Sequence, residues 1–250
     1  MEHEKNKYIV NVHDLTVAYN DQPVLWNIDL KLPSQNIIAV VGPNGAGKTT
    51  LIKSMLGLIK PICGSIDFAF DKNIKTKIGY VPQSGSVDWD FPATVLDVVL
   101  MGTYGKLGWL KRVSKKEKVS AFEVLEKVGM QEYVNRQISQ LSGGQQQRVF
   151  LARALIQNAD IYFMDEPFKG IDTKTQNIIF GILKELKQQG KTIVIVHHDL
   201  QTIKDYFDWI ILINIKVIAS GKVIEVFNEE NIKRTYNIDG LFLDSRGING

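Results

Sequence analysis

Hydrophobic and polar positions alternate along the first part of the chain and then change to longer periods. Between Tyr8 and Leu32 the apolar residues recur at close to every second position, which predicts β structure with a turn at Asn20-Asp21. The continuous apolar run Ile37–Val41 predicts a strand buried on both faces, as in a parallel sheet. From Thr50 to Leu58 the apolar residues follow helical spacing, so a strand–loop–helix unit is expected here.

The middle of the chain has a different pattern from its two flanks. Residues 94–101, 115–128 and 143–157 carry helical periodicity, and no convincing strand lies among them. A helical insertion between Gln83 and about Asn158 is therefore predicted to interrupt an α/β core. In that core the pattern predicts strands at Ile66–Phe70, Ile78–Val81, Ile161–Met164, Thr192–Val196, Trp209–Ile213 and Val217–Ala219, and helices at Thr173–Gln189 and Leu200–Tyr206.

Composition excludes several classes of protein. The chain has 250 residues with a formal charge of only +3, which is too small to predict nucleic-acid binding. Its single cysteine, Cys63, excludes an intrachain disulfide and a cysteine-based zinc site, and fits a reducing compartment. The polar start, Met1–Lys7, predicts no secretory signal, and the most apolar stretch, Trp209–Ala219, is far shorter than the ~20 residues of a membrane span. We therefore expect a soluble chain, or one peripheral to a membrane.

A glycine-rich loop follows the buried strand. It matches G-x-x-x-x-G-K-[ST] and consists of Gly42, Pro43, Asn44, Gly45, Ala46, Gly47, Lys48, Thr49 and Thr50. Glycines let such a loop turn its N–H groups inward, and the helix N-terminus adds about half a positive charge. The loop therefore predicts binding of nucleotide phosphates, with Lys48 reaching the β- and γ-phosphates and Thr49 placing its hydroxyl on Mg²⁺.

Two carboxylates end a later apolar strand. Ile161 to Met164 is followed by Asp165, Glu166 and Pro167. In a fold with such a phosphate loop this strand lies beside it, so Asp165 is predicted to approach Mg²⁺ and Glu166 to polarise an attacking water.

A second glycine pair opens another predicted helix. Leu141, Ser142, Gly143, Gly144 and Gln145 come before the apolar-periodic residues through Leu155, and two glycines at a helix N-terminus form an anion-binding nest. In the order phosphate loop, L-S-G-G-Q and D-E strand, the chain resembles the ATP-binding cassette (ABC) family over roughly residues 8–230. The resemblance implies ATP and Mg²⁺ as cofactors and ATP hydrolysis as the activity.

The resemblance also assigns roles to single residues. Tyr19 matches the aromatic that stacks on adenine, Gln83 the glutamine that contacts Mg²⁺ and the attacking water, and His198 the histidine that senses the γ-phosphate. Asp172 matches the aspartate of the loop after the D-E strand, although Lys169-Gly170-Ile171 departs from the usual S-A-L before it. A metal site at His197-His198 is not expected, because successive strand side chains point to opposite faces.

The expected fold class is α/β, with a P-loop NTPase core, an N-terminal antiparallel β subdomain and an inserted α-helical subdomain, as in ABC ATPases. We expect a single ABC ATPase domain over residues 1–250. Its nucleotide-binding core would cover residues 8–83 and 159–230, its helical subdomain 84–158, and its tail 231–250, of which 235–250 are expected to be loosely held.

In the family, catalysis needs two chains arranged head to tail. The resemblance implies a homodimer in which ATP on the phosphate loop of one chain is covered by the Leu141–Gln145 segment of the other, a C₂ arrangement with two composite sites. It also implies integral membrane permease subunits that dock near Gln83, in a stretch (84–110) rich in aromatic residues and glycine. The location would then be the cytoplasmic face of the cell membrane.

The sequences of three segments narrow the resemblance to one subfamily. V-D-W-D-F-P-A-T-V-L-D-V-V-L-M-G, D-E-P-F-K-G-I-D and V-H-H-D-L are similar to cassettes of the manganese/zinc/iron importer subfamily. This implies uptake of a divalent metal, with manganese first, zinc second and iron third, and an extracellular metal-binding protein as an indirect partner.

Two alternatives stay open from the sequence. One is an exporter cassette paired with a separate membrane subunit. The other is an ABC ATPase that acts on nucleic acid or the ribosome, which usually carries two cassettes, long coiled-coil insertions or cysteine-rich zinc modules. This chain has one cassette, one cysteine and no sustained heptads, so no nucleic-acid partner is expected.

Overall fold

The computed structural model describes residues 7–20, 22–70, 77–83, 92–108 and 112–237. Its strands are β1 (Tyr8–Tyr19), β2 (Gln22–Pro33), β3 (Ile37–Val41), β4 (Cys63–Phe68), β5 (Ile78–Val81), β6 (Ile161–Asp165), β7 (Thr192–Val196), β8 (Trp209–Asn214) and β9 (Lys216–Lys222). Its α-helices are α1 (Lys48–Met55), α2 (Val95–Met101), α3 (Tyr104–Leu107), α4 (Lys115–Lys127), α5 (Gly143–Leu155), α6 (Thr173–Gln188), α7 (Ile203–Tyr206), α8 (Val223–Val226) and α9 (Glu229–Tyr236), and short 3₁₀ turns lie at Gln131–Tyr133, Ile138–Gln140 and Leu200–Thr202.

The chain divides into two compact units. Unit 1 contains residues 1–72 and 192–250, and unit 2 contains residues 73–191.

Unit 1 contains an antiparallel sheet and a mainly parallel one. The antiparallel sheet has the order β2-β1-β4, with Val12 opposite Leu30 on one side and Ile66 on the other. In the other sheet β3 lies between β7 and β8 and is parallel to both, while β9 closes the edge antiparallel to β8. All residues of β3 and β7 are buried, which explains their unbroken apolar sequences.

Unit 2 contains two parallel strands and the helical insertion. β5 and β6 pair with Ile78 opposite Ile161 and Val81 opposite Met164, and every residue of β6 is buried. α5 packs against α2, α4 and β5, so the helix that begins at Gly143 lies next to the strand that ends at Val81. This packing positions the glycine pair and the end of β5 within one unit.

Most predicted elements are confirmed, with informative differences at their ends. The bounds of β3, β5 and β7 agree with the sequence pattern. The helix expected from Thr50 begins at Lys48, because Gly47 forms its N-cap with φ 91°. The strand expected at Ile66–Phe70 lies at 63–68 instead.

The expectation of a loosely held tail from residue 235 is wrong for its first residues. Thr235 lies in α9 and is fully buried. Its hydroxyl donates to the Asn231 carbonyl at 2.6 Å, and its own carbonyl accepts from Asn214 Nδ2 at 2.9 Å. The hydrophobic pattern did not predict α9, because the buried residues of this helix are only Ile232 and Thr235. Residues 238–250 lie outside the described ranges.

The helices of the described residues are all short. The longest helix there, α6, has 16 residues, and none combines the length and the hydropathy that a bilayer span requires.

Candidate functional site

The phosphate loop connects β3 to α1 in unit 1, and its glycines are required by the surrounding chain. A Cβ on Gly42 would lie 1.9 Å from the Ile213 carbonyl oxygen. A Cβ on Gly47 would lie 2.6 Å from Leu25 Cδ2, and the φ of 91° there disfavours any side chain. The sequence interpretation of a tight loop with close backbone approach therefore agrees with the local packing.

Lys48 is the first residue of α1, and its side chain folds over the loop. Its Nζ donates to the carbonyl oxygens of Gly42 and Pro43, both at 2.8 Å, and the residue is buried. The first turn of α1 has neither an acidic residue nor a side-chain cap, so its N–H groups and the ammonium form a positive site. Thr49 is half-buried and Thr50 is buried, while Asn44 and Gly45 are exposed at the tip of the loop. This arrangement suits an anion such as a phosphate.

Tyr19 ends β1 in the same unit. Its side chain is 49% exposed, although it lies in a strand whose apolar neighbours Leu15 and Val17 are buried. A half-exposed ring at a strand end offers a face for stacking, as the resemblance implies.

The paired carboxylates lie at the end of β6 in unit 2. Asp165 is buried, with only 2% exposure. Glu166 follows it with φ 49°, a left-handed conformation that is uncommon outside glycine and that concentrates at functional sites. Gln83 Nε2 donates to Glu166 Oε2 at 2.7 Å, so the structure brings together two residues that lie far apart in sequence. Lys169, which the sequence did not assign, places its Nζ 3.7 Å from the same oxygen.

The negative charge of Asp165 also acts on a neighbouring strand. The pKa of the Tyr80 phenol is raised to about 12, mainly by burial and also by the charge of Asp165, while Arg153 opposes the change. Tyr80 therefore stays neutral and lies, with Gln83 after it, at the end of β5 near the carboxylates. Neither Tyr80 nor Arg153 carries a motif that sequence reasoning could have recognised.

The L-S-G-G-Q segment forms the N-terminus of α5. Ser142 is the N-cap: its hydroxyl accepts from the Gln145 N–H at 3.4 Å, while Gln145 Oε1 accepts from the Ser142 N–H at 2.9 Å. This capping box fixes the helix start. Leu141 is buried, but Ser142 and Gly143 are exposed, and a Cβ on Gly143 would meet nothing within 4 Å. A Cβ on Gly144, by contrast, would lie 2.9 Å from the Gly170 carbonyl oxygen.

Asp172 is the N-cap of α6. It accepts from the Thr175 N–H at 3.0 Å and from the Thr175 hydroxyl at 2.7 Å, and these bonds lower the pKa of its carboxyl group. The sequence matched Asp172 to the aspartate of the family's loop after the D-E strand, and the structure gives it a role as a helix cap within its own chain.

The two adjacent histidines of unit 1 have different surroundings. His197 is buried, and its Nε2 lies 2.8 Å from the Thr202 hydroxyl. Burial lowers the pKa of His197 to about 4, although Asp199 opposes the change. His198 is exposed. Within the described ranges no group of three or more His, Cys, Asp or Glu side chains is arranged to hold a metal ion.

The candidate residues thus fall into two sets. Tyr19, the phosphate loop and His198 belong to unit 1. Gln83, the 141–145 segment, Asp165, Glu166 and Asp172 belong to unit 2.

Comparisons with known proteins place these features in a family. Residues 25–169 match the sequence profile of the ABC transporter family. The manganese transport system ATP-binding protein MntB of Bacillus subtilis (strain 168) is 58% identical over 239 residues, which cover 95% of this chain and 96% of that protein. The zinc transport system ATP-binding protein TroB of Treponema pallidum (strain Nichols) is 54% identical over 232 residues, which cover 92% of this chain and 87% of that protein.

Solved structures agree with the family. The dimeric ATP-binding cassette MJ0796, in a post-hydrolysis state bound to ADP and Pi, matches with a TM-score of 0.74 at 29% sequence identity, covering 86% of this chain and 99% of that one. The predicted fold class is confirmed, as is the resemblance that the sequence motifs carry. This chain therefore belongs to the ABC transporter family, as an ATP-binding chain that hydrolyses ATP in a transporter.

Proposed function

We propose that this chain is the ATP-hydrolysing subunit of a bacterial importer for a divalent transition metal, with manganese as the first choice and zinc and iron after it. The similarity to MntB of Bacillus subtilis, 58% identical across nearly the full length of both chains, carries the choice of cargo. The similarity to TroB, named for zinc, supports zinc as second. Both are named as transport systems, so we prefer this reading to an ABC ATPase that acts on nucleic acid or the ribosome.

Glu166 is proposed as the residue that orients and activates the attacking water. The hydrogen bond from Gln83 is the observation that carries this assignment, because it fixes one carboxylate oxygen of Glu166 at the end of β6. Lys48 is proposed to stabilise the charge that develops on the transferred phosphoryl group. Its partners include two neutral carbonyl groups of the loop, for which a phosphate would be a stronger, charge-assisted replacement.

Mg²⁺ is the metal that suits the other oxygen-bearing side chains of the proposed site. Thr49, Gln83 and Asp165 offer a hydroxyl, an amide and a carboxylate oxygen, and Mg²⁺ prefers such hard oxygen donors. When bound, Mg²⁺ would neutralise part of the charge of the nucleotide phosphates. Tyr19 and His198 complete the proposed site as the adenine-stacking ring and the γ-phosphate sensor.

The functional unit is proposed to be a head-to-tail homodimer. Ser142 and Gly143 are exposed at a helix N-terminus, where they can approach an anion held by another chain. The solved structure of MJ0796 is dimeric, which supports this arrangement. Asp172 lies at the N-cap of the next helix and is proposed to face the same partner.

Permease subunits and a membrane location follow from the transporter role. We propose docking of integral membrane permease subunits near Gln83, at the cytoplasmic face of the membrane, with an extracellular metal-binding protein as the indirect partner. Most of the aromatic residues behind this prediction, in 84–91 and at Trp109, lie outside the described ranges. Tyr104 in α3 is half-exposed and is a candidate contact.

Glu166→Gln tests the catalytic part of the proposal. Glutamine keeps the size and the polarity of the side chain, so Lys48, Thr49 and Asp165 should still bind nucleotide. Removal of a general base slows reactions by about 10²–10⁴-fold, so ATP hydrolysis should fall by that order while ATP affinity is kept. The unhydrolysed ATP should then hold two chains together, visible as ATP-dependent dimerisation on a sizing column.

Glu185→Gln, at an exposed position of α6, is the matched control and should hydrolyse ATP like the wild type. Adding Ser142→Arg to Glu166→Gln should abolish the ATP-dependent dimer. A Glu166→Gln chain that hydrolyses ATP at the wild-type rate would require another residue to activate water.

The cargo is tested in cells that lack this protein. Cellular manganese should fall when the metal is scarce, and added manganese should restore growth. A fall in zinc or iron content with manganese unchanged would reverse the order of metals and leave the ATPase assignment intact.

A further inference from the structure

A glutamine that carries no proposed role contacts the residue that precedes Gln83. Gln147 is in α5, one helical turn after Gly143, and is only 2% exposed. Its Nε2 donates to the carbonyl oxygen of Pro82 at 3.4 Å. Pro82 is itself buried and immediately precedes Gln83.

We propose that Gln147 is a positioning residue for ATP hydrolysis, which holds the Pro82–Gln83 peptide and thereby the hydrogen bond from Gln83 to Glu166. The inference rests on the proposed catalytic roles of Gln83 and Glu166. The chain of contacts is continuous within unit 2: Gln147 Nε2 to the Pro82 oxygen at 3.4 Å, one peptide bond, then Gln83 Nε2 to Glu166 Oε2 at 2.7 Å.

The backbone at Pro82 explains why a side chain is needed there. Proline has no N–H, so residue 82 offers only a carbonyl group, and a buried carbonyl requires a donor. β5 ends at Val81, so strand pairing no longer supplies one. Gln147 supplies the donor from the helix that packs on β5.

The oxygen of the Gln147 amide argues against a role of this residue in stability. Its Oε1 is buried and has no hydrogen-bond partner among the described residues. A buried acceptor without a partner costs about 1–3 kcal/mol, which offsets what Nε2 gains by satisfying the Pro82 carbonyl, so for folding the glutamine has no net advantage over an apolar residue of the same size. The glutamine therefore fits a functional requirement better than a structural one.

The same glutamine also belongs to the helix that begins with the L-S-G-G-Q segment. Gly143 and Gln147 are four residues apart in one helix, so a movement of α5 on engagement of Ser142 and Gly143 would also move the donor to Pro82. In this way the position of Glu166 depends on the segment that faces the partner chain.

Gln147→Met in the full-length chain is the test, with steady-state ATP hydrolysis as the readout. Methionine has a similar volume but cannot donate to Pro82. Since small displacements at a reacting centre can cost up to about 100-fold, we expect kcat to fall by about 10-fold or more. KM for ATP should stay within about 2-fold, because the phosphate loop is untouched. The unfolding midpoint should change little, because the variant removes the unpaired Oε1 and leaves the Pro82 carbonyl without a donor in its place.

Gln146→Met is the matched control. Gln146 is the neighbouring residue of α5, is 8% exposed, and likewise donates to a backbone carbonyl, that of Ile138 at 3.1 Å. We expect kcat of Gln146→Met to stay within about 2–3-fold of the wild type. Equal losses of kcat in the two variants, or a Gln147→Met chain with wild-type kcat, would overturn the inference.

A double-mutant cycle with Gln83→Met separates positioning from general destabilisation. If Gln147 acts through Gln83, adding Gln147→Met to Gln83→Met should lower kcat no further, whereas independent effects would multiply. Multiplying effects would overturn the inference. If Gln147→Met gives too little folded protein, Gln147→Asn keeps the amide but shortens its reach, and the same loss of kcat is expected.

Failure of this inference can be distinguished from failure of the proposed function. A wild-type chain that hydrolyses ATP, with Glu166→Gln inactive and Gln147→Met fully active, rejects only the role of Gln147. Full activity in Glu166→Gln rejects the catalytic pair, and the role of Gln147 with it.

Discussion

The phosphate loop and the L-S-G-G-Q segment look alike in sequence but differ in what their glycines do for the chain. Each region is rich in glycine and opens a helix, α1 in one case and α5 in the other. Gly42 and Gly47 are surrounded by their own chain, with the Ile213 carbonyl and the Leu25 side chain where a Cβ would stand. Gly143 has nothing within 4 Å of that position.

The difference shows which glycines the fold requires. The phosphate loop cannot adopt its conformation without glycine at positions 42 and 47, so contacts within unit 1 are enough to explain these two glycines. Gly143 has no such requirement, and its small size leaves room for something outside its own chain. Gly144 lies between the two cases, since a Cβ there would lie 2.9 Å from the Gly170 carbonyl oxygen. A surface kept open at a capped helix N-terminus is what a site for the partner's nucleotide would need.

The largest effect is expected from Gly47→Ala. The left-handed φ costs about 1–2 kcal/mol for a residue with a Cβ, and the overlap with Leu25 and Val24 adds about 1–3 kcal/mol. We therefore expect the free energy of unfolding to fall by about 3 kcal/mol, measured by denaturant titration, with loss of ATP binding.

Gly57→Ala is the control for the backbone part of that loss. Gly57 has φ 70° but nothing within 4 Å of its Cβ position, so only the conformational cost of about 1 kcal/mol is expected. Equal losses at the two positions would show that packing does not constrain the phosphate loop.

The next effect, on turnover and not on stability, is expected from Gly143→Ala. Alanine favours a helix over glycine, so the free energy of unfolding should stay the same or rise by about 0.4–1 kcal/mol. If the open space receives the partner's nucleotide, kcat should nevertheless fall by about 10-fold, measured at saturating ATP, and Ser142→Arg should lower it further.

Gly181→Ala is the matched control for Gly143→Ala. Gly181 is also exposed, helical and without neighbours within 4 Å, so it should gain the same stability and keep wild-type turnover. Mixing Ser142→Arg with Lys48→Ala chains should restore at most one working site per heterodimer. Two equally active sites in the mixture, or wild-type turnover in Gly143→Ala, would contradict the head-to-tail arrangement.

The difference between local sequence pattern and contacts made by tertiary packing explains how much of the structure the sequence could predict. The bounds of β3 and β7 follow from unbroken apolar runs, because a strand buried on both faces has no polar positions. The Gln83–Glu166 bond could be predicted only from resemblance, since its partners are 83 residues apart. Gln147 and Tyr80 were given no role because tertiary packing, and no local pattern, places Gln147 against Pro82 and Tyr80 near Asp165. Lys169 is only three residues from Glu166, but no motif assigns a role to a lysine there. α9 was missed because a mostly polar eight-residue helix has little periodicity to detect.

The adjacent histidines also differ from each other, since His197 is buried and His198 is exposed. The lowered pKa of His197 predicts that the stability of the chain depends on pH. Its pKa is about 4 in the folded chain, against an ordinary 6.5 that we assign to the unfolded chain, so the unfolded state binds more protons between these values. The stability that His197 contributes is therefore complete above pH 6.5 and is lost as the pH falls toward 4. By pH 5 the loss should reach about 2 kcal/mol.

Denaturant titrations of His197→Gln at pH 7.5 and pH 5 measure this contribution. The variant should lose less stability than the wild type between the two pH values. His198→Gln, at the exposed neighbour, should lower kcat. The same pH dependence in wild type and His197→Gln would show that His197 is not the group that titrates.

The smallest effect is expected from Lys169→Ala. Lys169 stands where most cassettes have serine, and its ammonium group lies 3.7 Å from Glu166 Oε2. The side chain is 59% exposed, and such ion pairs contribute at most about 1 kcal/mol. Glu166 keeps its shorter bond from Gln83, so kcat should change by no more than about 5-fold. Because salt screens exposed charges, the difference from the wild type should shrink at 0.5 M salt.

Salt and a control lysine decide whether Lys169 acts within its own chain or toward the partner. Lys118→Ala, at an exposed position of α4, should leave kcat unchanged at both salt concentrations. A small, salt-sensitive effect of Lys169→Ala would assign Lys169 to its own Glu166, as a weak surface contact. A loss of more than about 10-fold that persists at high salt needs a desolvated contact, since only there is the charge poorly screened. Lys169 would then act toward the second chain, as is proposed for Ser142 and Gly143.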